Sequence, residues 1–159
     1  MSDEQRLKFD DPALKLWLRI LSVTKLIENE VRGNLRESFK TTLPRFDVMA
    51  ELYRYHPKGL RMGEISQNLM VTNGNITGII DQLAKEGLAE RSADPDDGRV
   101  FVVRLTSAGK KRFEKMARLH RDWIDGLMAG LNAEERDQLL ELLSKLRNSL
   151  PERLDKAHE

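Results

Sequence analysis

Residues 94–110 read DPDDGRVFVVRLTSAGK. Five of the first six disfavour regular structure: the proline lacks a backbone donor, the glycine loosens the chain, and the three aspartates compete for backbone N–H groups. A β-forming run follows at once, from Val100 to Val103, and Leu105 closes it. Thr106 then has the chemistry of a helix N-cap, with a helix starting at Ser107. No continuous helix or central strand can cover such a segment. It predicts an exposed acidic tip with one cation, Arg99, at the foot of a strand that runs straight into a helix.

Composition narrows what the tip could touch. The 159 residues suffice for one domain with a real core, and the chain is read as a single domain, 1–159. No apolar run is long enough for a membrane span, so no membrane partner is expected. The opening MSDEQRLKFDD lacks the basic start and apolar stretch of a signal peptide, which points to the cytoplasm. The absence of cysteine removes disulfides, thiolate metal sites and thiol redox sensing together. His56, His120 and His158 have no metal-ligand spacing, and no Gly-rich phosphate loop follows a strand. The expectation is therefore no metal, no cofactor and no enzymatic activity.

The net charge of +1 hides an asymmetry. Between Arg91 and Arg121 nine Lys or Arg face four acids, whereas from Asn132 to Glu159 five basic residues face seven acidic ones. A basic middle with an acidic end suits nucleic acid meeting one part of the surface, and equally suits ordinary solvated helices.

Periodicity makes most of the chain helical. Residues 12–35 are apolar nearly all round and require burial on more than one side. A second helix starts at Thr42 with Pro44 in its first turn. A third runs from Gly63 to Met70, and a fourth from Asn73 to Glu86, ended by Gly87 as a left-handed C-cap. Leu88–Ser92 and Val100–Leu105 read as two antiparallel strands around the acidic tip. Helices follow over 107–131 and from Ala133 to about Leu150, the latter opened by Asn132 and Glu135 in capping-box spacing. In the fourth helix Ile76, Ile79, Ile80 and Leu83 form one buried stripe. The opposite side is small and polar: Asn73, Gly74, Asn75, Thr77, Gly78 and Gln82, with Thr72 placed to cap the helix. Asn and Gln can each donate and accept toward adenine in a major groove, and a helix N-terminus can receive a phosphate. The same residues would also serve as a solvated face with local caps.

Two helices around a tight turn, followed by a hairpin with a charged tip, make a winged helix. In QLAKEGLAER, DPDDGR and VRLTSAGK the sequence resembles the multiple antibiotic resistance regulator (MarR) family of bacterial transcription factors. Asp94, Asp97, Arg99, Leu105, Thr106 and Gly109 occupy the family pattern of Asp-x-x-Asp-x-Arg, an apolar strand and Leu-Thr-x-x-Gly. The resemblance implies a mainly α fold with a small β-hairpin wing, a winged helix-turn-helix within an intertwined helical dimer. Residues 42–106 would form the DNA-binding lobe, and 12–36 with 107–155 the dimerisation helices.

The resemblance further implies that Arg99 enters the minor groove and that Asp97 steadies it. The helix from Asn73 would lie in the major groove, giving a DNA-binding set of Thr72, Asn73, Gly74, Asn75, Thr77, Gly78, Gln82, Arg91, Asp97 and Arg99. Gly74 and Gly78 depart from the pattern, because they leave little side chain for reading bases. A homodimer is independently suggested by two apolar lines, Leu119, Trp123, Leu127, Leu131 and Leu139, Leu142, Leu143, Leu146, Leu150. Two-fold symmetry would set the recognition helices roughly 34 Å apart, to read a pseudo-palindromic operator in double-stranded DNA.

The family commonly answers to small anionic aromatic molecules. Trp17, Arg45, Phe46, Met49 and Tyr53 could line such an effector site, with a phenolic acid or its coenzyme A thioester as ligand, although an aromatic and Met stripe at helical spacing equally fits plain core. A repressor released by its effector is the implied function. An activator, a helical adaptor that contacts protein instead of DNA, and a metal-sensing regulator are the alternatives.

Overall fold

The computed structural model describes residues 11–69 and 73–151. The chain forms two compact units, one ending at Lys40 and the other beginning at Thr41. The first contains helix α1, Pro12–Phe39. Asp11 caps it, its carboxylate accepting the N–H groups of Ala13 at 2.8 Å and Leu14 at 3.1 Å, and Pro12 takes the first turn, where no N–H is needed. Val31, Leu35 and Phe39 are buried, whereas Leu16, Trp17, Leu18, Val23 and Leu26 are exposed. The helix runs four residues past the expected Leu35, because Phe39 prolongs the buried stripe by one turn.

The second unit begins with α2, Leu43–Arg54, whose N-cap Thr42 accepts the Arg45 N–H at 3.4 Å. Strand β1, Leu60–Arg61, leads directly into α3, Met62–Leu69. Next come α4, Asn73–Lys85, and strands β2, Ala89–Ala93, and β3, Phe101–Leu105. Helices α5, Ser107–Leu127, and α6, Ala133–Ser149, complete the described chain. The expected turn at Met70 to Thr72 lies outside the described residues.

The expected two-stranded hairpin is present as β2 and β3, and the sheet adds a third strand to it. It has three antiparallel strands in the order β1-β3-β2, with Leu60 opposite Val103 and Ala89 opposite Leu105. β1 exists because Gly59, at φ 80°, swings the chain against β3 so closely that a Cβ there would stand 2.5 Å from the Val103 carbonyl oxygen. The core of this unit gathers Met49 and Leu52 from α2, Ile65 from α3, Ile76, Ile80 and Leu83 from α4, Val103 from β3 and Met116 from α5, each at most 1% exposed. Truncating one of these to alanine would cost about 2–5 kcal/mol.

A correction concerns α5, which stops at Leu127 and not at Leu131, so that Leu131 lies outside the four-residue line of leucines. Glycines at 126 and 130 weaken the helix there, and Arg136 Nε donates to the carbonyls of Met128 and Leu131. The reciprocal capping box of Asn132 and Glu135 then starts α6, with both bonds at 2.9 Å. No residue of α6 is buried, and Leu139, Leu140, Leu142, Leu143 and Leu146 are all exposed.

Candidate nucleic-acid interface

The two sides of α4 differ as the sequence required, except that Ile79, expected in the buried stripe, is only half-buried. Ile76, Ile80 and Leu83 are completely buried, while Asn75, Thr77, Gly78 and Gln82 are exposed. Asn73 and Gly74 open the helix; Thr72 falls outside the described residues. A Cβ built on Gly78 meets no atom within 4 Å, so the glycine answers no packing need inside this chain. The resulting surface is polar and low in profile. It lets a partner reach the helix backbone closely, which a major groove demands of a recognition helix.

Arg91, on β2, is exposed and donates to the carboxylate of Asp81 on the outer side of α4. Sequence reasoning missed Asp81, since nothing in the local pattern reports an ion pair between a helix and a strand ten residues on. The pair ties α4 to the hairpin. It also sets a negative charge next to Thr77 and Gly78, where a phosphate would be repelled, so Arg91 is partly neutralised as a phosphate contact.

The wing tip is a compact hydrogen-bonded loop. Asp94 N–H donates to the Val100 carbonyl at 2.8 Å, and Val100 N–H to the Asp97 carbonyl at 3.0 Å. Asp97 Oδ1 accepts the Arg99 N–H at 3.1 Å and stands 3.6 Å from Arg99 Nε. The Arg99 side chain is 95% exposed. It projects a full charge into solvent from an ordered base, the arrangement a narrow groove of strong negative potential would favour.

Asp94 behaves differently from its acidic neighbours. It is buried, accepts the Asp96 N–H at 2.8 Å and receives Arg61 Nε at 2.7 Å. The Asp96 N–H, and then the Arg61 guanidinium, hold its carboxyl below the usual carboxylate range. Arg61 had no signal in the sequence; it sits in the strand that periodicity did not reveal.

The proposed effector residues are divided among several tasks. Trp17 is exposed on α1. Phe46 and Met49 belong to the buried core. Arg45 donates to Glu86, which keeps that carboxyl below its ordinary range. Tyr53 donates to Glu114 at 3.0 Å, and that bond raises the phenol above its usual value. Phe46 and Tyr53 both pack on Phe113, with ring centroids 5.4 and 4.9 Å away, and His120 stacks on Phe46 at 4.7 Å. Burial lowers the His120 pKa. The aromatic residues from α2 and α5 are thus brought together, and His120 joins them. Among the described residues no group of three or more His, Asp or Glu is placed to hold a metal, and no helix is long and apolar enough to cross a membrane.

These features agree with comparisons to known proteins. A family model described as MarR family matches residues 41–101. The uncharacterized HTH-type transcriptional regulator YkoM of Bacillus subtilis (strain 168) is 33% identical over 118 residues, 74% of each chain. The HTH-type transcriptional repressor YetL of the same organism is 29% identical over 143 residues, covering 86% of this chain and 81% of YetL. A mutant of MarR from E. coli, complexed with operator DNA, superposes with a TM-score of 0.75 and 26% identity, over 91% of this chain and 99% of that one.

Proposed function

The chain belongs to the MarR family of DNA-binding transcriptional regulators, and from that premise we propose that it is a homodimeric repressor that leaves its operator when a small anionic aromatic compound binds. The observation that carries DNA recognition is the pairing of a low polar face on α4 with a fully presented Arg99 on the wing. Asn75, Thr77, Gly78 and Gln82, with Asn73 and Gly74 at the start of the helix, would lie in the major groove, while Arg99 enters the adjacent minor groove. Arg91 would join through its position beside α4, and Thr72, the residue before Asn73 in the sequence, would complete the set.

The homodimer is supported by the exposed leucines of α6 and by Leu119 and Leu127 of α5, an apolar surface that water disfavours. Repression is the role of the similar Bacillus subtilis regulator YetL. For an anionic effector the supporting residue is Arg45, whose buried Nε–H has no hydrogen-bond partner while its Nη2 holds Glu86. A carboxylate would satisfy that donor. Tyr53 offers a phenol to the same class of ligand, and Phe46 and Met49 an apolar floor. A phenolic acid or its coenzyme A thioester fits this chemistry.

Release then needs only that the effector prefer a dimer whose recognition helices no longer match one DNA turn. Its leverage equals that preference, and by linkage the operator must weaken effector binding by the same factor. Calorimetry of phenolic acids with and without operator tests this. Equal affinities in both titrations would refute release, and tighter binding with DNA would make the protein a ligand-dependent DNA binder instead.

A further inference from the structure

Of the three aspartates in the wing loop, only Asp94 is buried, at 7% exposed. Burying a carboxylate is unfavourable unless a fixed partner compensates. Both of its oxygens are engaged, Oδ1 by the Asp96 N–H and Oδ2 by Arg61 Nε. The first bond only makes the turn, and an asparagine could accept it equally. Only a carboxylate offers a guanidinium a full opposite charge.

Arg61 is itself fixed from two sides. Its backbone N–H donates to Glu64 Oε2 at 2.7 Å in the first turn of α3, and it lies opposite Val102 in the β1–β3 pairing. The guanidinium therefore joins the start of the helix-turn-helix to the base of the wing. From Asp94 the connection continues through the Val100 and Asp97 backbone bonds to the Arg99 N–H. The Arg61 side chain remains 47% exposed, and a pair open to water on one side adds little to global stability.

From this geometry we infer that Arg61 and Asp94 form a positioning pair that fixes where Arg99 stands relative to the recognition unit. The inference rests on the DNA-binding reading and deepens it: neither residue touches DNA, and both act through Arg99. In a free wing the same loop would have to be ordered when DNA binds, and affinity would fall by the cost of that ordering.

The test is a double-mutant cycle on a duplex taken from upstream of the protein's own coding sequence, read by fluorescence anisotropy at fixed salt. Asp94→Asn and Arg61→Gln are each expected to weaken binding about tenfold, the size of one lost charged contact. Both should flatten the salt dependence as Arg99→Ala does. Asp94→Asn, which also removes the buried charge, should leave the melting temperature nearly unchanged, whereas Arg61→Gln, which leaves the carboxylate buried without its charged partner, should lower it. In an Arg99→Ala background they should cost nothing more, and Arg61→Lys should recover part of the loss. Additive losses in that background, or unaltered affinity, would overturn the inference. ¹⁵N relaxation of Gly98 and Arg99 provides a reading without DNA, in which Asp94→Asn must increase fast motion at the tip. An equally rigid tip would also overturn it. Failure of the wild-type protein to bind any duplex would count against the functional reading alone, with the relaxation result still deciding the pair.

Discussion

Replacing Gly78 by alanine should stabilise the fold and weaken DNA binding in the same molecule. Glycine in an exposed helix interior costs about 0.8–1.0 kcal/mol relative to alanine, because it surrenders more backbone freedom on folding. Gly78 lies inside α4, and a Cβ there meets nothing within 4 Å, so no clash offsets the gain. For a chain of this size that amounts to a rise in Tm of about 2–4 °C. On the DNA side the added methyl stands on the face proposed to enter the groove. If that face is in close contact, overpacking costs about 1–3 kcal/mol, or roughly 5- to 150-fold in affinity. Thermal melts followed by circular dichroism give the first quantity, and anisotropy titrations at one salt concentration give the second. A raised Tm with unchanged operator affinity would remove Gly78 from the interface, and a lowered Tm would contradict the open space around it.

Three further outcomes are expected. Gly109→Ala should destabilise by about 1–3 kcal/mol despite its helix propensity, since the new Cβ would lie 1.9 Å from the Leu88 carbonyl oxygen, which the Thr106 N–H already holds at 3.1 Å; a melting temperature at or above wild type would refute this. Arg99→Ala should leave Tm within error, because its pair with Asp97 is open to solvent, and should lower the slope of log affinity against log salt by about 0.9 per protomer; parallel salt lines would argue against a phosphate contact. His120 has a pKa lowered by burial, so below about pH 6.5 the unfolded chain takes up a proton that the folded one resists, and stability must fall as the pH drops through that window. Tm measured from pH 7.5 to 5 should decline less steeply in His120→Gln than in wild type, and equal slopes would exclude His120 as the source.

The features legible in the sequence are those written in short range. The breaker tip, the Val100–Leu105 run and the Thr106 cap each follow from neighbours, and the structure shows Thr106 Oγ1 accepting the Gly109 N–H at 3.0 Å. The isoleucine stripe of α4 and the capping box of α6 are equally local. What escaped depends on partners far along the chain. β1 is two residues long and exists only through β3, and its Arg61 meets Asp94 33 residues later. Asp81 and Arg91 pair between a helix and a strand, which no periodicity encodes. Arg45 could be read as a cation beside aromatics, but Glu86, 41 residues away, could not be read as its partner.

The contact between Gly109 and the Leu88 carbonyl has a mechanical consequence. The first turn of α5 is pressed against the chain just before β2, with no side chain between them to act as a cushion. The Thr106 hydroxyl, donating to the Gly87 carbonyl at 2.6 Å, pins the same corner from the other side. Helix and hairpin are therefore tied together at this corner. The 21 residues of α5 make a lever about 31 Å long. A sideways shift of about 2 Å at its Leu127 end, typical of helix movements at subunit interfaces, becomes a rotation of about 4° at its Ser107 end. The hairpin is expected to follow that rotation, because the corner between them is held by this close approach and two hydrogen bonds.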